Sequence, residues 1–495
     1  MKISFLRSVS IGVTVSVYLT AYSQSQKVIT ISPHSDGLYA YIEKWPSDRS
    51  VSAKFLINIE NVIMKLHTVR ISPNNKRIAY WADGWNSRGN YKNYNLVVYE
   101  EVTLVSGKTD YRKRVETYDE FKSLPVFSPN SKRLAYIAKE GSQWFVVIDG
   151  TESVRYSNTT DLIGEPIFSL DSQHLAYTAQ TSYPYIAYVV VDGVKGESFE
   201  DVSGFAFAPN SSRWAYRARK NNQSFVVTDS TKSKAYNAVL SLLFSPDSKR
   251  LAYVVEKQSG EQCVVLDGIE GKPYQEITKG TLIFSPNSKK IAYAARSINE
   301  GFVIVDSTVQ KGYIYIKESS LVFSPDSKHL AYVAGSTSSW PKQQLVVIDG
   351  RESGEGYYEI QGVTFSPNSE RVAYAARDQH WFVVVDEQKQ SAYEYIYGNS
   401  IVFSPDSKRI AYFASTGGTY GYTQKDRIFV VLDGDEGPHY SFVFEIVGDP
   451  IYYTGRYNFN ILSILGTRIV FGTNNSFHYL AMSGKSIYLI EEFIN

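Results

Sequence analysis

The chain has 495 residues, and its 51 lysines and arginines nearly cancel its 50 aspartates and glutamates, leaving a formal charge of +1. That balance excludes a nucleic-acid binder working through bulk charge, which needs a strongly basic surface, and a hydrophobic share of 43% excludes a disordered chain. A single cysteine, Cys263, excludes a disulfide framework or a multi-cysteine metal centre, and 39 tyrosines are the other unusual count.

The first segment reads as a signal peptide over 1–23. Lys2 and Arg7 give a positive start, Ser8 to Thr20 carry no charge, and Ala21-Tyr22-Ser23 places small residues where a signal peptidase reads them, with cleavage before Gln24. The uncharged stretch is too short and too rich in serine and threonine for a membrane-spanning helix, and no later segment is apolar for the required length. The mature chain is therefore expected to be exported, periplasmic or extracellular, with no membrane span.

From Ile31 onward one unit recurs. FSPDSKRLAYV from Phe244 returns as FSPNSKRLAYI from Phe127 and FSPNSKKIAYA from Phe284, and again, slightly varied, from Phe323, Phe365 and Phe403. Looser copies start at Ile31, Ile71, Phe168 and Phe207, making ten in all, each with an Ala-Tyr pair. The anchor prolines lie 37 to 42 residues apart, Leu170 standing in for one, except for a gap of 56 between Pro73 and Pro129.

Each unit reads as four short strands. The first ends at the phenylalanine, and Ser-Pro-Asp/Asn-Ser makes a turn, with proline presetting φ and Asp or Asn bonding to nearby backbone. Leu-Ala-Tyr-Val is the second strand, its small alanine leaving room for a ring from the next unit. A third strand closes in Asp-Gly, a hairpin signal, as at Asp149-Gly150. The fourth carries an aromatic and an aliphatic residue. Strands apolar on both faces fit sheets stacked between sheets. Four strands in about 40 residues predicts an all-β fold, a β-propeller of ten, possibly eleven, four-stranded blade units over 24–446. Residues 447–495 read as irregular strands that either close a ring or form an eleventh blade, and one large ring or two smaller ones both fit.

The FSPDS/FSPNS turn, the Leu-Ala-Tyr strand and the strand closing in Asp resemble the WD-repeat-like β-propeller repeats of TolB and of the propeller domains of prolyl-oligopeptidase-type enzymes. The resemblance covers Ile31 to about Asp433 and implies the fold, since propellers host unrelated activities. It leaves no room before the first unit for TolB's separate α/β domain, so it does not imply that protein's role in the Tol–Pal system.

Catalytic motifs are not found. The sequence has no Gly-x-Ser-x-Gly elbow, phosphate loop or His-Glu-x-x-His motif, and its seven histidines are scattered. No cofactor or metal is implied. The recurrent Asp149, Asp192, Asp229, Asp267, Asp306, Asp349, Asp386 and Asp433 suit a turn former better than calcium ligands, because equivalent residues of separate blades do not converge. Cys263, in an aromatic position, reads as a buried apolar residue. Lys139, Arg219, Arg296 and Arg377, after the Ala-Tyr strand, are solvated strand ends or a partial positive ring. The loops between second and third strands vary in length and carry rings: Trp85, Tyr91 and Tyr94; Trp144; Tyr183 and Tyr185; Trp340; His380 and Trp381; Tyr420 and Tyr422. Variable loops on a rigid frame are where binding residues gather. The expected function is a non-catalytic scaffold binding an envelope or extracellular protein, or a polysaccharide, through that face. The alternative is a lyase or hydrolase with a channel site assembled from several blades.

Overall fold

A computed structural model describes residues 29–30, 41–42, 49–58, 70–72, 77–85, 92–103, 109–157, 162–182, 185–210, 213–336, 343–416, 428–437, 470–471, 476–483 and 486–494. The expected signal peptide, 1–23, lies outside them. Among the described residues the only helical element is the single 3-10 turn Gly398–Ser400; everything else regular is strand. Nine antiparallel sheets follow one another along the chain, numbered here sheet 1 (70–118), sheet 2 (120–157), sheet 3 (162–195), sheet 4 (201–228), sheet 5 (238–270), sheet 6 (276–309), sheet 7 (315–357), sheet 8 (359–393) and sheet 9 (395–436). Within each, strands lie side by side in sequence order, as in a propeller blade. A further sheet draws on both ends of the chain: the strand Arg49–Asn58 pairs antiparallel with the last strand, Ser486–Ile494, which pairs in turn with Ser476–Ser483.

The long spacing before Pro129 is no linker. In sheet 2 the third strand turns back one residue after Ala135 meets Ile148. In sheet 1 Ala79 meets Val98 in the same register, yet the strand continues to Thr103 before Thr109–Tyr118 returns. The extra residues are a longer hairpin.

The Ser-Pro-Asp/Asn-Ser turn closes on its own side chains. In the sheet 8 copy, Ser366 Oγ accepts the Arg371 N–H at 3.0 Å and donates to Asn368 Oδ1 at 2.6 Å. The second serine of each described turn sits in the left-handed region, at φ 64° for Ser248 and Ser407 and 65° for Ser327. Its hydroxyl reaches backward to the preceding sheet. Ser248 Oγ accepts the Asn210 N–H at 2.7 Å, Ser288 the Asp247 N–H at 2.9 Å, Ser327 the Asn287 N–H at 3.0 Å, and Ser407 the Asn368 N–H at 2.9 Å. These partly buried N–H groups thus find their acceptor in the next repeat.

The residue two places after that second serine, namely Arg133, His174, Arg213, Arg250, His329, Arg371 and Arg409, immediately precedes the second strand and binds the aspartate that ends the third. The same aspartates cap the second strand, as Asp267 Oδ1 accepts the Leu251 N–H at 2.9 Å. All but Asp229 also hold positive φ, and where a glycine follows it does too, as with 52° at Asp267 and 83° at Gly268, the geometry of a tight hairpin turn. The repeated carboxylates are thus turn and junction residues. Several of the arginines extend forward as well: Arg371 Nη1 donates to the Ser407 and Lys408 carbonyls, each at 3.0 Å, and its guanidinium lies 5.2 Å from the Phe403 ring centre.

Between sheets the core is Ala-Tyr packing. Tyr136, Tyr332 and Tyr412 are fully buried, and the paired alanines Ala135, Ala331 and Ala411 likewise. Ala292 and Ala294 of sheet 6 share a cluster with Tyr332 of sheet 7, and Ala252 of sheet 5 with Tyr293 of sheet 6. The alanine does leave space for the ring ahead. Fourth-strand tyrosines meet the same rings edge-on, Tyr313 with Tyr332 at 6.3 Å and Tyr393 with Tyr412 at 6.4 Å. Cys263 is completely buried in the cluster between sheets 4 and 5, and burial pushes its thiol pKa up.

Candidate functional site

Each sheet has two unlike ends. The Ser-Pro turns and the Asp-Gly turns meet at one, because the second strand begins where the third finishes. The hairpins joining second to third strands lie at the other. At the turn end the sheets repeat one chemistry. At the loop end they diverge: Glu140 to Gln143 and Lys220 to Gln223 are tight, whereas Gly335 to Gln344 and Ser415 to Ile428 enclose long loops.

The ten residues expected to bind there fare differently. Trp381 is a correction. It begins the third strand of sheet 8, is 3% exposed, and packs between sheets 8 and 9, edge-on to Tyr395. Its position next to a three-residue turn places the ring inside the blade stack, where a ligand cannot reach it. Tyr94 is half-buried against Phe121 of sheet 2, with ring centres 6.5 Å apart. His380 is exposed, with Nδ1 3.6 Å from Glu394 Oε1. Trp85 and Tyr185 end and begin strands at the loop end. Tyr91, Tyr183, Trp340, Tyr420 and Tyr422 lie outside the described residues. Trp144 is covered by ammonium groups, Lys139 Nζ at 5.4 Å and Lys122 Nζ at 5.9 Å from its ring centre. Of the basic residues after the Ala-Tyr strand, Lys139 pairs with Glu120 at 3.2 Å and Arg377 with Glu359 at 3.0 Å. Ion-paired strand ends describe these two better than a positive ring.

Sequence reasoning missed a crevice of about 730 Å³ at the turn end between sheets 2 and 3. Its walls are Ile148, Val154, Tyr156, Leu175, Tyr177 and Val190, with Arg133, Asp149, Asp192 and Lys195 around the mouth. Tyr156 and Tyr177 share a hydroxyl–hydroxyl hydrogen bond of 3.1 Å, and burial raises the Tyr156 pKa well above that of a free phenol. The opening has a cause in the fourth strands. At neighbouring junctions an ion pair clamps consecutive outer strands: Glu197 with Lys232 at 2.9 Å, Lys234 with Glu270 at 2.8 Å, and Lys311 with Glu352 at 2.6 Å. Val154, 69% exposed, occupies the place of Glu197, Lys234 and Lys311, and Lys195 instead lies 3.9 Å from the Tyr188 ring centre. The signal was in the sequence: Val154 is apolar where the next four repeats carry Glu197, Lys234, Lys272 and Lys311. The crevice can take an elongated, partly apolar group with a charge at one end. Among the described residues no cluster of histidine, cysteine, aspartate and glutamate is arranged to hold a metal ion. Nor is any described helix long and apolar enough to cross a membrane, which says nothing of a β-barrel.

No protein-family model matches the chain, and no curated protein matches it. Solved structures similar to it include the β-propeller domain of the trilobed protease from Pyrococcus furiosus (11% identity, 57% of this chain and 95% of that one, TM-score 0.29). TolB from Acinetobacter baumannii is 20% identical over 47% of this chain and 61% of its own, with a TM-score of 0.24. The Pyrococcus horikoshii acylaminoacyl peptidase is 13% identical over 64% of this chain and 57% of its own, with a TM-score of 0.26.

Proposed function

We propose that the chain is an exported, non-catalytic β-propeller scaffold that binds an envelope or extracellular protein through the loop end of its sheets. One observation carries this reading: sheets 2 to 9 share their turn-end chemistry but differ at the loop end, from the two-residue turn Asn221-Asn222 to the loop 416–427. A frame that holds one end constant while varying the other suits recognition, because loops on rigid supports place contact residues without disturbing the core. Export rests on the charged start and small-residue cleavage site of 1–23.

The test replaces 337–342 and 416–427, separately, by the Asn-Asn turn of sheet 4. Mature protein and both variants are cross-linked in intact cells and applied to glycan arrays. Loss of one cross-linked partner from a variant that keeps its β-sheet spectrum supports the reading. An unchanged cross-linking pattern in both overturns it. Glycan binding lost with the same loops replaces the protein partner by a polysaccharide, and cleavage of a bound substrate replaces the scaffold by an enzyme. Recovery of the protein with residue Met1 intact refutes export by a cleaved signal.

A further inference from the structure

We infer that the outer strand of sheet 1, Thr109–Tyr118, is an open edge that takes up an acidic extended peptide of a partner protein as an added strand. This surface lies at the outer rim and is independent of the loop end.

Four observations carry it. First, length: outer strands of sheets 2, 3, 5, 6 and 9 contain two-residue pairings such as Thr151–Glu152, Val194–Lys195 and Ile269–Glu270, whereas Thr109–Tyr118 runs for ten residues. Short edge strands are a common protection against stray pairing, and this edge lacks it. Second, it is the terminal strand of its sheet: Lys92–Thr103 pairs with it on one side, and no described strand pairs with it on the other. Third, it projects. Tyr99 to Thr103 carry the hairpin beyond the point where Asp149-Gly150 turns sheet 2, which is roughly 16 Å at about 3.3 Å per residue. Fourth, its centre is basic, flanked by Asp110 and Glu116. Arg112, Lys113 and Arg114 are consecutive and exposed.

Side chains alternate across a strand, so three successive basic residues put positive charge on both faces. Arg114 faces sheet 2, where it pairs with Glu116 at 3.0 Å, and Glu116 accepts the Tyr136 hydroxyl. Arg112 shares that face farther out, and Lys113 lies on the opposite one. Glu100, across the ladder from Arg112, is 3.9 Å from Arg77. A complementary strand therefore carries carboxylates on both of its faces. Strand addition supplies main-chain hydrogen bonds for affinity, and the charges select the sequence.

The probe is a fluorescein-labelled ten-residue peptide of valine and glutamate with acidic residues at adjacent positions, titrated by anisotropy against the full chain. Saturable binding is expected below about 1 mM, weakening with salt. Alternate backbone N-methylation of the peptide removes the donors that pair with the edge while leaving its charge, and should weaken binding at least about tenfold. The double variant Arg112→Glu/Lys113→Glu should do the same, with Arg112→Gln/Lys113→Gln intermediate. Both pairs of changes are exposed, and an unchanged β-sheet spectrum verifies the fold. Equal binding of the N-methylated peptide overturns strand addition, and equal binding by the charge-reversed protein overturns the acidic preference. Absence of saturable binding overturns the proposal. Self-association abolished by the charge reversal also overturns it, by making a second copy the occupant.

Discussion

Ser407 joins two repeats through one hydroxyl, and its replacement separates two physical terms. The side chain is 3% exposed, its Oγ accepts the Asn368 N–H at 2.9 Å, and its backbone is held at φ 64° by its own N–H bonding the Ser404 carbonyl at 2.8 Å. Ser407→Ala removes the acceptor of the partly buried Asn368 N–H, which costs about 0.5–1.5 kcal/mol, and keeps the left-handed strain. Ser407→Gly loses the same bond but relieves a conformation that costs a residue with a Cβ about 1–2 kcal/mol, offset by about 0.4–1 kcal/mol of extra freedom in the unfolded chain. Alanine should therefore be the more damaging change by roughly 0.5–1 kcal/mol. Urea titration gives the global loss, and amide exchange at Asn368 gives the local one, which matters because a repeat stack need not unfold in one step. Unchanged exchange at Asn368 in Ser407→Ala, or a glycine variant less stable than the alanine one, refutes the reasoning.

Other expectations follow from the same junctions. His329→Arg should stabilise by about 1 kcal/mol, since an arginine there can keep the Asp349 pair and add the carbonyl bonds that Arg371 makes, read as a higher urea midpoint. Ala292→Leu should cost about 1–3 kcal/mol by thermal melting, because a fully buried alanine faces Tyr332. Val154→Glu should pair with Lys195 and narrow the crevice, changing stability by no more than about 1 kcal/mol while protecting the 151–157 amides from exchange. Burial pushes the phenols of Tyr216, Tyr293, Tyr374 and Tyr393 up to about 12 from their ordinary 10.0. The unfolded phenols release protons first, so stability should fall as pH rises from 10 toward 12, with phenolate absorbance appearing together with unfolding. The Cys263 thiol should resist alkylation until the chain unfolds.

The fold was legible because the repeat states its own turns. Proline, Asp-Gly and the Ala-Tyr strand each fix a local geometry, and all three recur where the sheets need them. The direction of the serine hydroxyls was not legible: Ser248 binds a residue 38 positions back, and no local pattern announces a bond between repeats. Trp381 shows the limit for site residues. Sequence placed it correctly beside a loop, but whether a ring at a strand's first position turns inward depends on the neighbouring sheet, here on Tyr395. The crevice was hidden for the opposite reason. Tyr156 and Tyr177 look like ordinary repeat residues, and only the missing charge at Val154 exposes the gap beside them.

The serine bond gives the junctions where it is described a direction. At the described junctions one sheet offers an N–H forward and the next a hydroxyl backward, the same pairing each time. At this bond, exchange of a whole repeat keeps donor and acceptor together, whereas a cut within one strands both; the outer ion pairs, which reverse sign from Glu197–Lys232 to Lys234–Glu270, must still be matched. Such a chain can change its number of blades in single steps, and its loops can diverge between copies while the joinery stays the same.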